Sequence, residues 1–402
     1  MVYTLLISAC FLFSIFDVFI IKDKKKRIYL MIVLIIIYTF ILGRRGFLAW
    51  DWVHYYPNFI NIASLKEFFI KRGFGLSNPY EFGYMLWLSF CKTIFNNNYD
   101  AYVLFTTFLD IILLSILFLM YSPYPIFSIF IFLIFGGFVF QLDLMRNIKA
   151  LILFLFSLNY INKKKYFKAF LLVILSLCIH RTSLIYLFLI LSRFLEKEVK
   201  KKYLLIIFFI GIFVYIFGDD FLKDILKGIL SILNTLDIDI LRGIQNKLNV
   251  YLNLSVGMMN KGVIKIGLIE KIITFFIIYF NYEKIKTSYM GRIFLNLYII
   301  YTIIFFYTNG VEVFHDRMEL LFIPSYWIIY SIILNSYTRN KKILIYIFIS
   351  TLFFAKYINY HKRTLSLDLY EYNTLIKDDK NYNKKYKLLE NTTELINNRG
   401  KK

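Results

Sequence analysis

The sequence alternates between long apolar blocks and short, mostly basic connecting segments, and this alternation limits its fold more than any other feature. The blocks, rich in Leu, Ile and Phe, cover residues 1–21, 28–43, 82–95, 101–121, 126–140, 148–161, 166–179, 182–195, 203–218, 263–280, 293–308, 318–335 and 342–358. In lipid, only helices and closed barrels satisfy the backbone hydrogen bonds, and barrel strands would alternate in polarity over roughly 10 residues. The continuous blocks therefore predict membrane-spanning helices.

The composition supports this interpretation. Apolar residues make up 59% of the chain and charged residues only 18%, which excludes disorder, a coiled coil and collagen. The net charge of +22 is divided among short loops between apolar blocks, so nucleic acid is not an expected partner. Because each span takes about 20 residues, we expect an all-α polytopic integral membrane protein with about 12–13 transmembrane helices. Residues 1–358 would form a single membrane domain, followed by a polar, basic C-terminal tail, 359–402.

Short loops rich in Lys and Arg mark the cytoplasmic side of a membrane. Such loops lie at 22–27, 162–168, 196–202, 281–286 and 338–342. The segments 44–80, 219–262 and 309–317 are then external, and the side of the tail stays open. Four apolar blocks separate external residue 80 from internal residue 162, although this path needs an odd number of crossings. One block within 82–140 should therefore be re-entrant or interfacial: 82–95 is the shortest, and 126–140 contains Gly136 and Gly137.

Ionisable residues beside a span are costly and suggest function, and the first external cluster directly follows block 28–43. Here Arg45 can bind a phosphate oxygen and Asp51 can accept a proton from a sugar hydroxyl. Trp52 and Tyr55 can stack on sugar faces. The alternative for this cluster is an aromatic belt at the membrane interface, with an Arg that reaches the lipid headgroups.

Two further clusters lie at the start of apolar blocks. Glu81 precedes block 82–95, where it could serve in catalysis or stabilise a helix N-terminus. Arg146 and Lys149 share one helical face at the start of block 148–161, where the helix dipole disfavours cations. A site that needs positive charge would explain them, and an Asp143–Arg146 ion pair is the alternative.

The fourth external cluster combines two His–Arg pairs. His180 and Arg181 lie at the tip of a predicted hairpin between blocks 166–179 and 182–195, and His315 and Arg317 precede block 318–335. The His spacing gives no HExxH motif, and the three Cys are scattered in apolar stretches, so we expect no metal and no cofactor.

External Arg residues around an apolar bundle suit a ligand with a diphosphate at headgroup level, a lipid tail in the bilayer and a polar group outside. A polyprenyl-diphosphate-linked sugar has this composition. Arginines stabilise the charge that develops on a departing diphosphate, and a carboxylate or a histidine can activate the attacking hydroxyl.

The ordered motifs resemble those of the EpsG-like branch of the Wzy-type O-antigen and exopolysaccharide polymerases. The matching residues are Arg45-Gly46, Asp51-Trp52-x-x-Tyr55, Glu81-Phe82-Gly83-Tyr84, Arg146-Asn147-x-x-Ala150, His180-x-Thr182-Ser183 and Arg317. The chain departs from the family pattern where Ala49-Trp50 replaces a Gly shortly before the acid. It departs again at Asn147, where Gln is common, and at Lys149, where the residue is usually apolar.

The resemblance implies a GT-C-like membrane glycosyltransferase at the outer leaflet of the bacterial cytoplasmic membrane. It would transfer a growing glycan from undecaprenyl diphosphate to the non-reducing end of a lipid-linked repeat unit, without a nucleotide-sugar. Asp51, His180 and Glu81 are then the expected catalytic residues. Arg45, Arg146, Arg181, Arg317, Trp52, Tyr55 and His315 are the expected binding residues. A chain-length regulator and a flippase are possible partners.

Two alternatives remain open from the sequence. An O-antigen ligase uses the same donor but typically carries a large external loop with a His/Arg motif, and segment 219–262 contains no His. A lipid-linked oligosaccharide flippase or other transporter would be expected to show internal repeats, which the sequence lacks.

Overall fold

The computed structural model describes residues 2–70, 80–218, 221–235, 266–309, 311–365, 367–372 and 382–399, together with residues 245, 249 and 252. These residues are mostly α-helical, with a few π and 3-10 turns, and contain no β-strand. The all-α polytopic class is therefore confirmed. Most of the predicted external segment 219–262, and residues 71–79 of segment 44–80, lie outside the described residues.

Most helices of the N-terminal half follow the predicted apolar blocks. They are α1 (Val2–Ile15), α2 (Lys24–Gly43), α3 (Trp52–Asn61), α4 (Leu65–Ile70), α5 (Phe82–Phe95), α6 (Tyr99–Tyr121), α7 (Pro125–Phe132), α8 (Phe138–Leu142), α9 (Met145–Asn162), α10 (Tyr166–Ile179) and α11 (Leu184–Leu191). A π turn, Phe16–Ile20, extends α1, and another, Leu133–Gly137, joins α7 to α8. Helices α3 and α4 lie in segment 44–80, where no block was predicted.

The C-terminal half continues in the same way. Its helices are α12 (Lys201–Phe217), α13 (Phe221–Thr235), α14 (Ile266–Phe280), α15 (Tyr282–Lys286), α16 (Tyr289–Tyr307), α17 (Glu312–Phe322), α18 (Pro324–Asn335), α19 (Arg339–Tyr360) and α20 (Tyr382–Arg399). A π turn, His361–Leu365, and a 3-10 turn, Asp368–Tyr370, lie between α19 and α20.

Within the described residues, 7 helical segments are long and apolar enough to cross a membrane. They are Val2–Ile20, Lys24–Gly43, Tyr99–Tyr121, Pro125–Leu142, Tyr289–Tyr307, Phe314–Asn335 and Arg339–Leu365. Shorter apolar helices are Phe82–Phe95, Tyr166–Ile179 and Arg181–Leu191. The predicted 12–13 spans include these shorter helices and other blocks that fall below the length or hydropathy of a full span.

Both segments singled out within 82–140 are irregular. Helix α5 has 14 residues and is about 21 Å long, which is shorter than the roughly 30 Å hydrocarbon core. Segment Pro125–Leu142 is long enough but bends at Phe135 (φ −110°, ψ 74°) and Gly136 (φ 97°). Gly136 provides the positive φ that L side chains disfavour. The assignment of one of these segments as re-entrant stays a prediction.

Residue contacts divide the chain into two compact units, Met1–Phe194 with Tyr330–Asn391 and Leu195–Ile329 with Thr392–Lys402. In the first unit, Asp17 connects three helices. Its carboxylate lies 2.6 Å from Nε of Arg27 and accepts hydrogen bonds from the backbone N–H groups of Ile126 and Phe127 at the start of α7. A carboxylate at a helix N-terminus is favoured by the dipole.

The segment after α19 returns to the end of α2 and to the residues that follow it. The N–H of Ala49 donates to the carbonyl of Leu369, and the Tyr372 hydroxyl donates to the carbonyl of Ile41. The ring of Tyr382, the first residue of α20, meets the ring of Trp52 edge-on at 5.3 Å. The start of the tail therefore lies against the Arg45–Tyr55 cluster in the first unit, and the side of the membrane on which both lie stays a prediction.

The second unit is built around α12, α14, α16 and α17. The rings of Phe208 and Phe275 stack between α12 and α14 at 3.5 Å. Asn296 of α16 donates to the carbonyls of Leu195 and Lys197 and so holds the chain before α12.

Candidate active site

Glu81 brings together three residues that are far apart in the sequence. It occupies the N-cap position of α5, but its side chain makes no capping hydrogen bond. Instead, Arg146 Nη1 donates to Oε2 at 2.8 Å, and the backbone N–H of Arg181 donates to Oε1 at 3.2 Å. Arg181 Nε lies 3.7 Å from the same Oε1. We call Glu81, Arg146 and Arg181 the charge cluster, and its two guanidinium groups share one carboxylate.

The absence of a side chain at Gly83 allows the residues of the charge cluster to come together. A Cβ at this position would lie 2.8 Å from the carbonyl oxygen of Cys178, near the C-terminal end of α10. The start of α5 and the end of α10 can approach this closely only without a side chain at residue 83. The close approach places Glu81 beside Arg181 and gives a structural reason for the glycine in the Glu81-Phe82-Gly83-Tyr84 motif.

Aromatic rings surround the Arg146 guanidinium. It lies 4.4 Å from the ring centre of Tyr80 and 5.8 Å from that of Tyr84, within the range of cation–π attraction. Its Nε is buried and has no hydrogen-bond partner among the described residues. Arg146 is therefore held between the Glu81 carboxylate and two tyrosine rings.

His180 ends α10 as predicted, with α11 beginning shortly after it. Its Nδ1 accepts the backbone N–H of Thr182 at 3.2 Å and lies 2.6 Å from the Thr182 hydroxyl. A ring nitrogen that accepts an N–H carries no proton, so neutral His180 has its proton on Nε2.

Asp51 precedes α3, and a second carboxylate, Asp143, holds the chain around it. The backbone N–H groups of Trp50 and Asp51 donate to Asp143 Oδ1 at 2.7 and 3.2 Å, and Tyr370 donates to Oδ2 at 3.1 Å. Burial, together with the nearby charge of Asp51, raises the pKa of Asp143 to about 7. Asp143 thus positions the Asp51 loop, in place of the Asp143–Arg146 pair considered from the sequence.

The remaining residues of the first predicted cluster face the protein interior. Arg45 is 4% exposed and donates to the carbonyl of Leu42 and the hydroxyl of Thr107, so it links the end of α2 to α6. Burial lowers the pKa of its guanidinium. The Trp52 ring stacks on Phe47 at 4.5 Å.

The Tyr55 hydroxyl, also in the interior, donates to the backbone carbonyl of Asp143. In this conformation, Arg45, Trp52 and Tyr55 therefore support the Asp51 loop.

A cavity of about 530 Å³ lies among α4, α5, α6 and α9. Its wall contains Lys149, whose Nζ donates to both carboxylate oxygens of Asp110 at 2.9 and 2.8 Å. Asp110 was not among the residues predicted from the sequence. Its signal was present, because it is the only acid within the apolar block 101–121.

In the second unit, a group of buried charges surrounds Glu319. Its Oε1 lies 2.9 Å from Nζ of Lys271, which also pairs with Glu270 at 3.0 Å, and the Tyr301 hydroxyl donates to Glu319. His315 Nε2 lies 3.6 Å from Glu319 Oε2. Sequence reasoning found His315 but missed Glu270, Lys271 and Glu319.

Among the described residues of the second unit, one group has metal-ligating spacing. Ligand atoms of His315, Asp316 and Glu319 lie within 4.8 Å of one another. Glu319 in this group is also paired with the Lys271 ammonium, which it shares with Glu270. Arg317 is exposed, and its predicted phosphate contact stays a prediction.

Comparison with known proteins gives one family. No curated protein and no solved structure matches the chain significantly. The model of the EpsG family matches residues 28–374, a range that contains the charge cluster, Asp51, His180 and Arg317. This match covers most of the 402 residues, so the chain belongs to the EpsG family of Wzy-type polymerase-like membrane proteins.

Proposed function

We propose that this protein polymerises lipid-linked oligosaccharide repeat units. It transfers the growing glycan from undecaprenyl diphosphate to the non-reducing end of an incoming lipid-linked unit, in the synthesis of O-antigen, capsule or exopolysaccharide. The reaction takes place at the outer face of the bacterial cytoplasmic membrane. Family membership supports a polymerase of this general type, and the charge cluster is the observation that carries the choice of substrate.

The charge cluster fits a diphosphate better than it fits a neutral sugar. Arg146 and Arg181 together carry two positive charges against the single negative charge of Glu81, so one charge remains to attract an anion. The Arg181 side chain is 71% exposed, which lets it reach a ligand, whereas Arg146 is held by Glu81 and the tyrosine rings. The two guanidinium groups stabilise the negative charge that develops on the departing diphosphate.

Proton transfer is assigned to the Asp51 region. A hydroxyl of the acceptor sugar must lose a proton as it attacks the anomeric carbon, and Asp51 is the carboxylate that accepts it. Asp143 holds the loop through the hydrogen bonds that it accepts from the Trp50 and Asp51 N–H groups and, with its pKa raised to about 7, is about half protonated near pH 7. His180, with Nε2–H as donor, binds an oxygen of the donor glycolipid.

The supporting residues have assigned roles as well. Arg45, Trp52 and Tyr55 keep the Asp51 loop in place, and Arg317 and His315 bind glycan or phosphate. A flippase delivers the lipid-linked units and a chain-length regulator sets the polymer length.

The test replaces Arg146 with Ala in a strain that depends on this chain for its polymer. We expect the ladder of long glycans to disappear while single-repeat glycolipid accumulates at the outer leaflet. Arg339→Ala, which removes an exposed arginine at the start of α19, is the matched control and should leave the ladder unchanged.

A normal ladder from Arg146→Ala would overturn the mechanism. Loss of the single-repeat species from the outer leaflet would indicate a flippase instead, and failure to join polymer to lipid A core would indicate a ligase.

A further inference from the structure

The cavity of about 530 Å³ in the first unit has the lining of a site for a hydrocarbon chain. Its volume lies within the range of small-molecule sites, roughly 300–1,000 Å³. Its walls carry mainly aliphatic and aromatic side chains, including Leu113 and Leu153. Phe69 and Phe90 at its edge are 62% and 40% exposed, so the cavity opens onto an apolar surface.

The two charged residues in the wall do not make the cavity an ion site. Lys149 and Asp110 are 8% and 2% exposed, and Lys149 donates to both oxygens of its partner. The pair is therefore neutral as a whole, and its hydrogen bonds are directed at itself. A charged ligand would have to break this pair, whereas an uncharged chain can pack against it.

Several residues of the cavity wall are close in sequence to the residues of the charge cluster. Gly83 in its wall lies two residues after Glu81, and Ile179 lies two residues before Arg181. Lys149 is one helical turn from Arg146, which is about 4.5 Å along the axis of α9. Three residues of the wall are therefore two or three positions from the residues of the charge cluster.

We propose that this cavity holds the isoprenoid units of the donor lipid that lie nearest the diphosphate. The proposal rests on the proposed function for the identity of the lipid and adds where its chain binds. A diphosphate matches the excess positive charge of the charge cluster, and the apolar wall suits a long isoprenoid chain. Because Lys149 and Asp110 neutralise each other, the cavity wall presents no net charge to that chain at α9.

The experiment measures lipid binding apart from polymer formation. The full-length protein is placed in phosphatidylglycerol nanodiscs that contain undecaprenyl phosphate, and retained lipids are identified by native mass spectrometry. Leu113→Trp narrows the cavity, and Leu153→Phe is a milder second variant in case the first does not fold. Leu171→Trp, on an exposed face of α10 outside the cavity, is the matched control.

We expect the wild type and Leu171→Trp to retain undecaprenyl phosphate equally and the two cavity variants to bind it at least tenfold more weakly. Wild-type retention in both cavity variants would overturn the proposal. Retention of phosphatidylglycerol alone by the wild type would also overturn it, because the cavity would then hold an ordinary membrane lipid.

This outcome is independent of the polymerase assignment. If cavity variants lose the lipid but the wild type makes no polymer, the site stands and the proposed function fails. If the cavity variants bind the lipid normally and the wild type makes polymer, only the site fails.

Discussion

The buried pair of Lys149 and Asp110 allows a quantitative test of the structure. The two groups lie 2.8 Å apart and are almost fully enclosed, so their direct attraction is about 6 kcal/mol at an effective dielectric constant of about 20. Desolvation of both charges offsets most of this attraction. The variant Lys149→Met leaves the Asp110 carboxylate buried without its partner, which typically costs about 3–5 kcal/mol.

The double variant Lys149→Met/Asp110→Leu removes both charges and keeps the volume similar. Such a replacement is often neutral or stabilising by about 1–4 kcal/mol, so the double variant should be more stable than the single one. The free energy of unfolding is measured by detergent titration in mixed micelles, followed by tryptophan fluorescence. Trp87, whose ring lies 5.6 Å from Lys149 Nζ, reports on this region.

The control is Lys227→Met. Lys227 pairs with Asp224 on α13, but the two side chains are 65% and 68% exposed, and exposed pairs contribute at most about 1 kcal/mol. Equal effects of Lys149→Met and Lys227→Met would refute the burial of the first pair. A double variant as unstable as Lys149→Met would refute the mechanism of destabilisation.

Three further predictions follow from the site. Gly83→Ala places a Cβ 2.8 Å from the Cys178 carbonyl oxygen. The free energy of unfolding should fall by about 1–3 kcal/mol, and most of the polymer should be lost. Gly228→Ala, with open space around residue 228, should change neither. Asp143 has a native pKa of about 7, above its ordinary value of about 3.9, so the native state binds the extra proton and stability should fall as pH rises from about 4 to 7. Asp143→Asn should flatten this decline in unfolding titrations, and an unchanged slope would show that another group causes it. Arg146→Lys keeps the charge but loses the planar fork of donors; the loss of a hydrogen bond to a charged group, about 1.5–3 kcal/mol, should slow polymer formation by about 10- to 150-fold, and an undiminished rate would exclude Arg146 from the reaction.

The sequence predicted the helices well because apolar block length is a strong local signal in membrane proteins. Blocks 82–95 and 166–179 become α5 and α10 with almost the same bounds. The Gly136–Gly137 pair predicted an irregularity that the structure places at Phe135 and Gly136. The cause of this irregularity is local, because Gly136 has no side chain and can adopt a positive φ.

The site was predictable only in part. The sequence shows which residue types are present, but it does not show which of them come into contact in the fold. Glu81, Arg146 and Arg181 were each selected from the sequence, but their shared ion pair depends on the close approach at Gly83. Arg45 was predicted to bind a phosphate, which stays a prediction, and its hydrogen bonds to α2 and α6 could not be read from the spacing of the sequence.

The departure at Ala49 also has a structural meaning. Ala49 has φ 66°, in the left-handed region that favours glycine. This conformation gives a physical reason for the Gly that the EpsG-like family often has shortly before the acid that corresponds to Asp51. In this chain, the N–H of Ala49 donates to Leu369 and helps to hold the residue in that conformation.

The most direct measurement of the central claim uses the purified full-length protein in nanodiscs with a lipid-linked repeat unit as the only substrate. The account predicts a ladder of longer glycolipids and the release of one undecaprenyl diphosphate for each linkage formed, with both products lost in Arg146→Ala. A wild-type protein that forms no ladder and releases no diphosphate from its correct repeat unit, or equal products from wild type and Arg146→Ala, would contradict the account.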